Sequence, residues 1–204
     1  MWSSVLITAL TAYLLGNLNG AVCVSAWVEK DDVRNHGSGN AGLTNFLRSY
    51  GGWSTLLVIC LDMGKTAIAC VVGRSLMENH GYALEGMMLA AVAVSLGHDF
   101  PLLLNFRGGK GILCGATIAL MLDVRIFGIL LVVFFTCFFI TRYVSLSSVL
   151  ASVAFAVAFI VFYWGNPFVI AGSVLLSLLA IVMHRENIKR LLSGTEKKFS
   201  IAKK

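Results

Sequence analysis

RIFGILLVVFFTCFFITRYVSLSSVLASVAFAVAFIVF occupies residues 125–162, and this stretch decides the class of fold. It holds two long apolar runs, 125–141 and 144–162, in which the only charged side chains are Arg125 and the intervening Arg142. A helix that crosses a bilayer needs about 20 apolar residues, with a range of roughly 17–25. Both runs meet that requirement, so the stretch predicts two membrane helices joined by a very short turn.

The rest of the chain repeats the pattern, with apolar runs at residues 2–28, 52–73, 83–97, 111–122 and 166–183. Of the 204 residues, 58% are hydrophobic and only 13% are charged, whereas about a quarter of a soluble domain is charged. A soluble domain and a disordered chain are both excluded. We predict an all-α polytopic membrane protein, a single domain over residues 1–204. It should be a bundle of about seven transmembrane helices, with a range of five to seven, because two runs are short enough to be tilted, broken or re-entrant.

The basic residues predict the orientation, because Lys and Arg accumulate in cytoplasmic loops. With seven spans, the even-numbered gaps carry only Arg74 and Arg125. Apart from Lys65, which lies inside the second run, the other basic residues fall in the odd-numbered gaps and in a tail at residues 184–204. The N-terminus is therefore expected outside, and the C-terminus with its basic tail in the cytoplasm. Nucleic acid is not an expected partner, since no single element concentrates the charge.

The first gap contains a glycine-rich polar loop, HGSGNAGLTNFLR, at residues 36–48. Glycines let successive backbone N–H groups turn toward an anion, and Arg48 offers a fork that suits phosphate. The alternative is a flexible polar connector. We predict a phosphate-binding loop, in which the candidate substrate contacts beside Arg48 are Ser38, Gly39, Asn40, Thr44 and Asn45.

The third gap contains GHDFP at residues 97–101 and FRGGKG at residues 106–111. Gly108 and Gly109 allow a backbone to approach a phosphate that Lys110 neutralises. This is not a P-loop, which needs Gly at 104 and Ser or Thr at 111, so nucleotide hydrolysis is unsupported. The alternative is a membrane-edge turn with a snorkelling lysine. His98 is either an ordinary helix-end histidine or a member of the site.

Two further groups of polar residues follow at helical spacing. Arg142, Ser145 and Ser148 are three residues apart, so they would share one face if this segment is helical. His184 and Asn187 have the same spacing, and both can hydrogen-bond a phosphate or a hydroxyl. The alternatives are an ordinary helix end at Arg142 and a plain basic tail after residue 183.

Asp62 and Lys65, also three residues apart, lie inside the second apolar run. Charged side chains are expensive in lipid, so we expect a structural ion pair that faces the bundle interior. This pair is the best feature of the alternative class, a small-anion or lipid transporter or scramblase. The gathering of the polar motifs on one side argues against that class. No group of residues has metal-ligand spacing, so no metal or other cofactor is expected.

Four blocks of the chain, in this order, resemble the bacterial membrane acyl-phosphate:glycerol-3-phosphate acyltransferases of the PlsY type. The blocks lie at residues 37–48, 97–111, 142–148 and 184–196, so the resemblance covers essentially the whole chain. The sequence departs from the family pattern at positions between the polar ones, which are Ala41, Leu43, Leu113 and Cys114.

The resemblance implies transfer of a fatty acyl group from acyl phosphate to the 1-hydroxyl of glycerol 3-phosphate. The products are lysophosphatidic acid and phosphate, as the first step of phospholipid synthesis, at the cytoplasmic face of the bacterial inner membrane and among membrane lipid. We assign Lys110 and Arg48 to the phosphates and His184 to the hydroxyl proton, for which the substrate's own phosphate is the alternative base. The resemblance adds Asn187 and Ser148 to the catalytic set, and the further substrate contacts Gly108, Gly109, Arg142, Ser145 and Glu196.

Overall fold

The structure, a computed structural model, describes residues 1–200; residues 201–204 of the basic tail lie outside the described residues. Every regular element within residues 1–200 is helical, which confirms the predicted all-α class. The ten α-helices are α1 (Trp2–Gly16), α2 (Gly20–Val24), α3 (Leu43–Ser49), α4 (Ser54–Glu78), α5 (Ala83–Asp99), α6 (Ile112–Leu122), α7 (Val124–Thr141), α8 (Val144–Phe162), α9 (Pro167–Met183) and α10 (Arg185–Leu192). A π-helical turn, Ser25–Glu29, extends α2, and short 3-10 turns lie at Val33–Asn35 and Leu102–Leu104.

Five segments are long and apolar enough to cross a membrane, namely Trp2–Glu29, Ser54–Glu78, Ala83–Leu104, Val124–Thr141 and Val144–Phe162. The apolar helix α9 meets α10 at a bend of 57°, and this pair gives a sixth segment only if both helices are counted together as one span. The apolar helix α6 has 11 residues, which is about 16 Å of helix against a hydrocarbon core of about 30 Å. The predicted range of five to seven spans, some of them short or broken, is confirmed.

Glycines let α5 pack closely against α1 and α4. A Cβ atom on Gly97 of α5 would overlap the carbonyl oxygen of Tyr13 in α1. A Cβ atom on Gly86 would likewise overlap the carbonyl oxygen of Gly73 in α4. Small residues at such contacts let helix backbones approach, which is a main source of helix association in lipid. The helices α1, α4 and α5 therefore form one closely packed layer of the bundle.

The helices α6 to α9 pack on one another and on α4 and α5 through a large apolar cluster. Its fully buried members include Met88, Ile118, Ile126, Phe159 and Val169. In each helix these residues lie in the half nearer to the short turns 79–82, 123 and 163–166. The packed core thus fills one end of this half of the bundle, and the other end is left more open.

The first span is broken at residues 17–19, and Lys65 of α4 satisfies the backbone that the break exposes. Its Nζ atom donates to the carbonyl oxygens of Gly16, at 3.2 Å, and Leu18, at 2.8 Å. The same atom lies 2.8 Å from Asp62 Oδ1, and both side chains are buried. The predicted ion pair inside the bundle is confirmed, and it supplies hydrogen bonds to the backbone at the break between α1 and α2.

Simple polar pairs join the short turns at the packed end. Ser4 Oγ lies 3.2 Å from His80 Nε2, and Asn166 Nδ2 donates to Glu85 Oε1 at 2.7 Å. The first, third and fifth gaps and the tail lie at the opposite end, where the cavity described below is found. The one-sided distribution that the sequence predicted is therefore present in the fold.

Candidate active site

A cavity of about 820 Å³ opens at the end of the bundle that carries the four motif blocks. Its lining includes residues of α6, α7, α8 and α9, of the loop before α3 and α3 itself, of the turn before α6 and of the tail after α10. The predicted site residues that line it are Ser38, Asn40, Thr44, Asn45, Arg48, Lys110, Ser145, Ser148, His184, Asn187 and Glu196. Segments far apart in the chain thus contribute to one site.

The part of the cavity that runs along α7, α8 and α9, away from the loops, is apolar. The hydroxyls of the serines in this wall donate to backbone carbonyl oxygens. Ser152 Oγ donates to that of Ser148 at 2.8 Å, and Ser177 Oγ to that of Ser152 at 2.7 Å. Hydrocarbon surface dominates what remains, which suits a lipid chain. The apolar lining residues are Phe127, Leu130, Leu131, Phe134, Phe135, Ala151, Phe155, Leu176, Leu179 and Ala180.

The glycine-rich first loop is held in shape by Asn45, a buried residue of α3. Its Oδ1 atom accepts the N–H of Ser38, and its Nδ2 atom donates to the carbonyl oxygen of Asn40, both at 3.0 Å. Gly39 has φ +70°, in the left-handed region that glycine favours. The Asn45 amide therefore hydrogen-bonds the loop backbone. Ser38 and Thr44 line the cavity, and their hydroxyls make no hydrogen bond within residues 1–200.

The second glycine-rich turn, residues 108–111, packs directly on His98. A Cβ atom on Gly108 would overlap the carbonyl oxygen of His98, and one on Gly109 would overlap its imidazole ring. Gly111 has φ +66° and forms the N-cap of α6. Glycine is thus required by close packing at 108 and 109 and by backbone conformation at 111. The turn directs Lys110 into the cavity.

A hydrogen-bonded chain joins Lys110 to the tail. Lys110 Nζ donates to Asn187 Oδ1, and Asn187 Nδ2 donates to Glu196 Oε1 at 2.8 Å. Ser145 Oγ donates to the same carboxylate oxygen at 2.7 Å, and Arg190 Nε to the other at 2.7 Å. Glu196 therefore joins α8, α10 and the second turn at one point.

Burial and neighbouring groups shift the pKa values of Lys110 and Glu196 in this hydrogen-bonded group. Burial, together with nearby Arg190, lowers the pKa of Lys110 to about 8. Burial alone would raise the pKa of Glu196, but hydrogen bonds from Ser145, Asn187 and Arg190 outweigh it and lower that pKa. Lys110 is thus charged at pH 7 and loses its proton as the pH rises through about 8.

His184 lies at the bend between α9 and α10 and is only 4% exposed. Its Nδ1 atom donates to the carbonyl oxygen of Ala180 at 2.7 Å, because a carbonyl can only accept. Burial lowers the pKa of His184 to about 4, so the imidazole is neutral at pH 7. Its Nε2 atom therefore has a free lone pair in a residue that lines the cavity.

Arg142 does not lie on the face that the sequence predicted. It is the left-handed C-cap of α7, with φ +63°, and α8 begins only at Val144. A left-handed residue does not continue a helix, so the prediction of one helical face is wrong for Arg142 and holds for Ser145 and Ser148. The Arg142 side chain is exposed, and its carbonyl oxygen accepts the N–H of Phe199 at 2.8 Å.

The tail was predicted as a basic segment with Glu196 as a substrate contact, and its residues Thr195, Glu196, Lys197, Lys198 and Ser200 line the cavity. Arg48 Nη2 donates to the carbonyl oxygen of Lys197 at 3.4 Å, and the ring of Phe199 packs on that of Phe138 with 5.5 Å between centroids. Four predicted site residues do not line the cavity, namely Gly39, Gly108, Gly109 and Arg142.

Other lining residues were not selected from the sequence. Among them are Asp62, Ser95, His98, Asp99, Arg190, Lys197, Lys198 and Ser200. Arg190 follows Asn187 by three residues in α10, and this spacing was a signal that would have found it. The sequence leaves His98 open as either a helix-end histidine or a site member and places Asp62 in a buried ion pair. Ser95 and Asp99 of α5 give no signal, because they reach the cavity only through helix packing.

The fold is a helical membrane bundle, and its cavity joins a cationic polar end to an apolar wall. These two features define the class of protein: an integral membrane protein that brings a phosphorylated compound and a lipid chain together. The family described as glycerol-3-phosphate acyltransferase matches residues 6–194. The chain belongs to this family, as the resemblance predicted, and it is therefore a membrane-bound enzyme.

Curated relatives share this assignment. The glycerol-3-phosphate acyltransferase of Thermoanaerobacter pseudethanolicus is 42% identical over 192 residues, which is 94% of each chain. Glycerol-3-phosphate acyltransferase 1 of Deinococcus radiodurans is 37% identical over 198 residues, covering 94% of this chain and 96% of the relative.

Two crystal structures of PlsY, an integral membrane glycerol 3-phosphate acyltransferase, have the same fold. The glycerol 3-phosphate form matches with a TM-score of 0.87 at 30% identity, over 97% of this chain and 96% of that one. The lysophosphatidic acid form matches with a TM-score of 0.83 at the same identity and coverage.

Proposed function

We propose that this enzyme transfers a fatty acyl group from acyl phosphate to the 1-hydroxyl of glycerol 3-phosphate, giving lysophosphatidic acid and inorganic phosphate. Membership of the family supports acyl transfer to glycerol 3-phosphate. The two similar crystal structures are named for their glycerol 3-phosphate and lysophosphatidic acid forms, which correspond to the acceptor and the product of this reaction.

The single observation that carries the proposal is the joining of two environments in one cavity. Arg48 and Lys110 line its polar end, while Phe134 and Phe155 belong to its apolar wall. An acyl phosphate has the matching polarity, with a phosphate at one end of a hydrocarbon chain. The chain can lie along α7 and α8 while its phosphate meets the cations.

The reaction needs no nucleophile from the protein, because acyl phosphate already carries a good leaving group. The hydroxyl oxygen of glycerol 3-phosphate attacks the carbonyl carbon and forms the ester bond. The bond from that carbon to the phosphate oxygen then breaks, and its electron pair leaves with the phosphate. The hydroxyl proton passes to His184 Nε2 or to a phosphate oxygen. Ser148 Oγ donates to the carbonyl oxygen of Val144 at 2.9 Å and not to a base, unlike an activated nucleophile.

Arg48 and Lys110 are assigned to the substrate phosphates and to the charge that develops on the leaving group. The one hydrogen bond of the Arg48 guanidinium within residues 1–200 is the long contact with Lys197, so its fork is available to a phosphate. Asn187 orients Lys110 through their hydrogen bond. Holding two anionic head groups side by side supplies proximity, which is itself a large part of such a rate enhancement.

The other predicted residues receive supporting roles. Ser38, Asn40 and Thr44 contribute neutral hydrogen bonds to glycerol 3-phosphate. Residues assigned to the shape of the loops around the substrate, not to direct contact with it, are Gly39, Asn45, Gly108, Gly109, Arg142, Ser145 and Glu196.

His184 is expected to give the rate an unusually acidic pH limb. Because burial lowers its pKa to about 4, a base at this position stays unprotonated down to about pH 5, and the fall in kcat/KM that this base causes should begin only below that pH. His184→Gln should lose this limb and most of kcat. The substrate phosphate titrates near pH 6 with the wild type and with His184→Gln alike. The role of His184 is therefore read from the difference between the pH–rate profiles of these two enzymes.

If a folded His184→Gln variant keeps the wild-type acidic limb and most of kcat, His184 is not the base and the substrate phosphate takes that role. His80→Gln is a matched control, because His80 lies at the opposite end of the bundle. That variant should keep the complete wild-type profile.

The donor is tested directly with purified protein in detergent. Incubation with glycerol 3-phosphate and a long-chain acyl phosphate should release phosphate and lysophosphatidic acid in equal amounts. We expect this activity to survive a chelator and to need no nucleotide. Comparable kcat/KM with acyl-CoA in place of acyl phosphate would refute the proposed donor.

The active site is proposed to face the cytoplasm, with the N-terminus outside, because the basic residues gather at the cavity end. Single cysteines at Ser38, Lys110 and Glu196, in a background without native cysteines, should resist an impermeant thiol reagent in intact cells. A cysteine at Gly165, an exposed residue of the opposite end, should react. Reaction at any of the first three sites in intact cells would overturn the orientation.

A further inference from the structure

Three buried ionisable side chains, Asp62 and Lys65 of α4 and His98 of α5, form a cluster that the mechanism above does not use. They are only 2%, 5% and 4% exposed, respectively. Asp62 and His98 also line the cavity. Ionisable groups at such depth are costly unless they have partners, so an arrangement of this kind calls for a role.

Lys65 determines which nitrogen of His98 carries the proton. Lys65 Nζ lies 2.9 Å from His98 Nδ1. Lys65 Nζ has three N–H groups and four acceptors within reach, because it also contacts Gly16 O, Leu18 O and Asp62 Oδ1, so these N–H groups are shared. An ammonium group cannot accept a hydrogen bond, so a proton on Nδ1 would have no acceptor there, and Nδ1 carries the lone pair. Asp62 Oδ1 lies 3.6 Å from the same nitrogen, too far for a competing hydrogen bond. The neutral imidazole then carries its proton on Nε2.

The Nε2 atom of His98 is a donor without an acceptor. No residue of the described range, 1–200, accepts a hydrogen bond from it. It is also not one of the fully enclosed atoms without a partner, which in this range are Thr8 Oγ1, Tyr50 Oη and Asp99 Oδ1, so a ligand can reach it. The ring packs on Gly109, in the space that a side chain there would fill. The unpaired donor therefore lies beside the turn that carries Lys110, in a residue that lines the cavity.

We propose that His98 Nε2–H donates a hydrogen bond to a phosphate oxygen of the substrate whose phosphate Lys110 binds. Lys65 is then a positioning residue that keeps His98 in the required tautomer. The inference rests on the proposed function, since it takes a phosphate as the ligand. Glycerol 3-phosphate and acyl phosphate share this chemistry, and the experiments separate them.

Two substitutions separate the two nitrogens of His98. His98→Asn keeps an oxygen near the Nδ1 position, where it can accept from Lys65, but removes the Nε2 donor. His98→Gln places an amide N–H near the Nε2 position. A hydrogen bond to a charged group is worth about 1.5–3 kcal/mol, so His98→Asn should lower kcat/KM by about 10- to 100-fold. His98→Gln should retain more activity, and the same two changes at His80 should have no effect.

Binding measurements on folded His98→Asn identify the phosphate. If His98 meets glycerol 3-phosphate, the Kd for that compound rises while inhibition by inorganic phosphate is unchanged. If it meets the donor, the inhibition constant of inorganic phosphate and the KM for acyl phosphate rise instead. Either result supports the contact. The proposed contact would be overturned if the Kd for glycerol 3-phosphate, the inhibition constant of inorganic phosphate and the KM for acyl phosphate all kept wild-type values in both His98 variants.

The tautomer is read directly by NMR with ¹⁵N-labelled histidine, using His98→Gln to assign the resonance. We expect an Nε2–H tautomer, a shift of its proton on addition of inorganic phosphate or glycerol 3-phosphate, and a mixture of tautomers in Lys65→Met. A proton on Nδ1, or no shift with either ligand, would refute the proposal. Lack of acyl transfer by the wild type would instead count against the proposed function, and the NMR titration with inorganic phosphate would still test His98.

Discussion

Lys110→Ala is expected to lower kcat by at least about 10²–10³-fold, the usual cost of removing a donor from an oxyanion-type site. Lys110 is the cation of the second turn, and it is directed into the cavity beside Asn187. Charge-assisted hydrogen bonds are roughly twice as strong as neutral ones. Because they tighten as charge moves onto the leaving phosphate, kcat should fall as well as substrate affinity.

Lys110→Arg separates charge from shape. The arginine keeps the positive charge but replaces a point donor by a planar fork, so kcat should still be low. Burial lowers the pKa of Lys110 to about 8, so wild-type kcat/KM should fall as the pH rises past about 8. Arginine stays protonated there, and the remaining activity of Lys110→Arg should lack this alkaline limb.

Steady-state kinetics on detergent-purified protein measure both effects. Lys189→Ala is a matched control, because Lys189 is an exposed residue of α10 that does not line the cavity. A folded Lys110→Ala enzyme that keeps more than about a tenth of wild-type kcat, well above the loss cited for such donors, would contradict the phosphate assignment.

Among the proposed substitutions, Lys65→Met is expected to lower the free energy of unfolding most, by about 3–5 kcal/mol. The change leaves the buried Asp62 carboxylate without its counter-ion and leaves the carbonyl oxygens of Gly16 and Leu18 without their donor. An uncompensated charge in a low-dielectric interior is the main term. The double variant Asp62→Asn/Lys65→Met should recover a large part of the loss, because it removes both charges together.

Thermal and denaturant unfolding in detergent measure these differences. Arg74→Met is the matched control on the same helix, since Arg74 pairs with Glu78 at 3.8 Å where both side chains are 58% exposed. Such surface pairs contribute about 0–1 kcal/mol. A Lys65→Met protein as stable as Arg74→Met would mean that the ion pair does not support the fold. In the double variant, activity should stay low although stability returns, because His98 has lost the donor that sets its tautomer.

Much of the fold and part of the site were predictable from local patterns. Apolar runs such as 144–162 follow directly from the free energy of placing side chains in lipid, so the helical class and the approximate number of spans needed no tertiary information. The distribution of Lys and Arg and the four motif blocks likewise indicated that Lys110, His184 and Asn187 would meet at one end of the bundle. Their grouping in one cavity agrees with that prediction.

The sequence by itself therefore determined the class of protein, the family and most of the residues at the polar end, because these depend on composition, spacing and motif order. Only the tertiary structure decided that Arg142 leaves the shared face, that Asn45 hydrogen-bonds the loop backbone and that Lys197, Lys198 and Ser200 of the tail line the cavity. It also decided that His98 joins the cavity beside Gly109. The physical reason is that these features depend on a left-handed turn, on competition for hydrogen bonds and on the close approach of helices distant in the chain. None of the three leaves a periodic signal in the sequence.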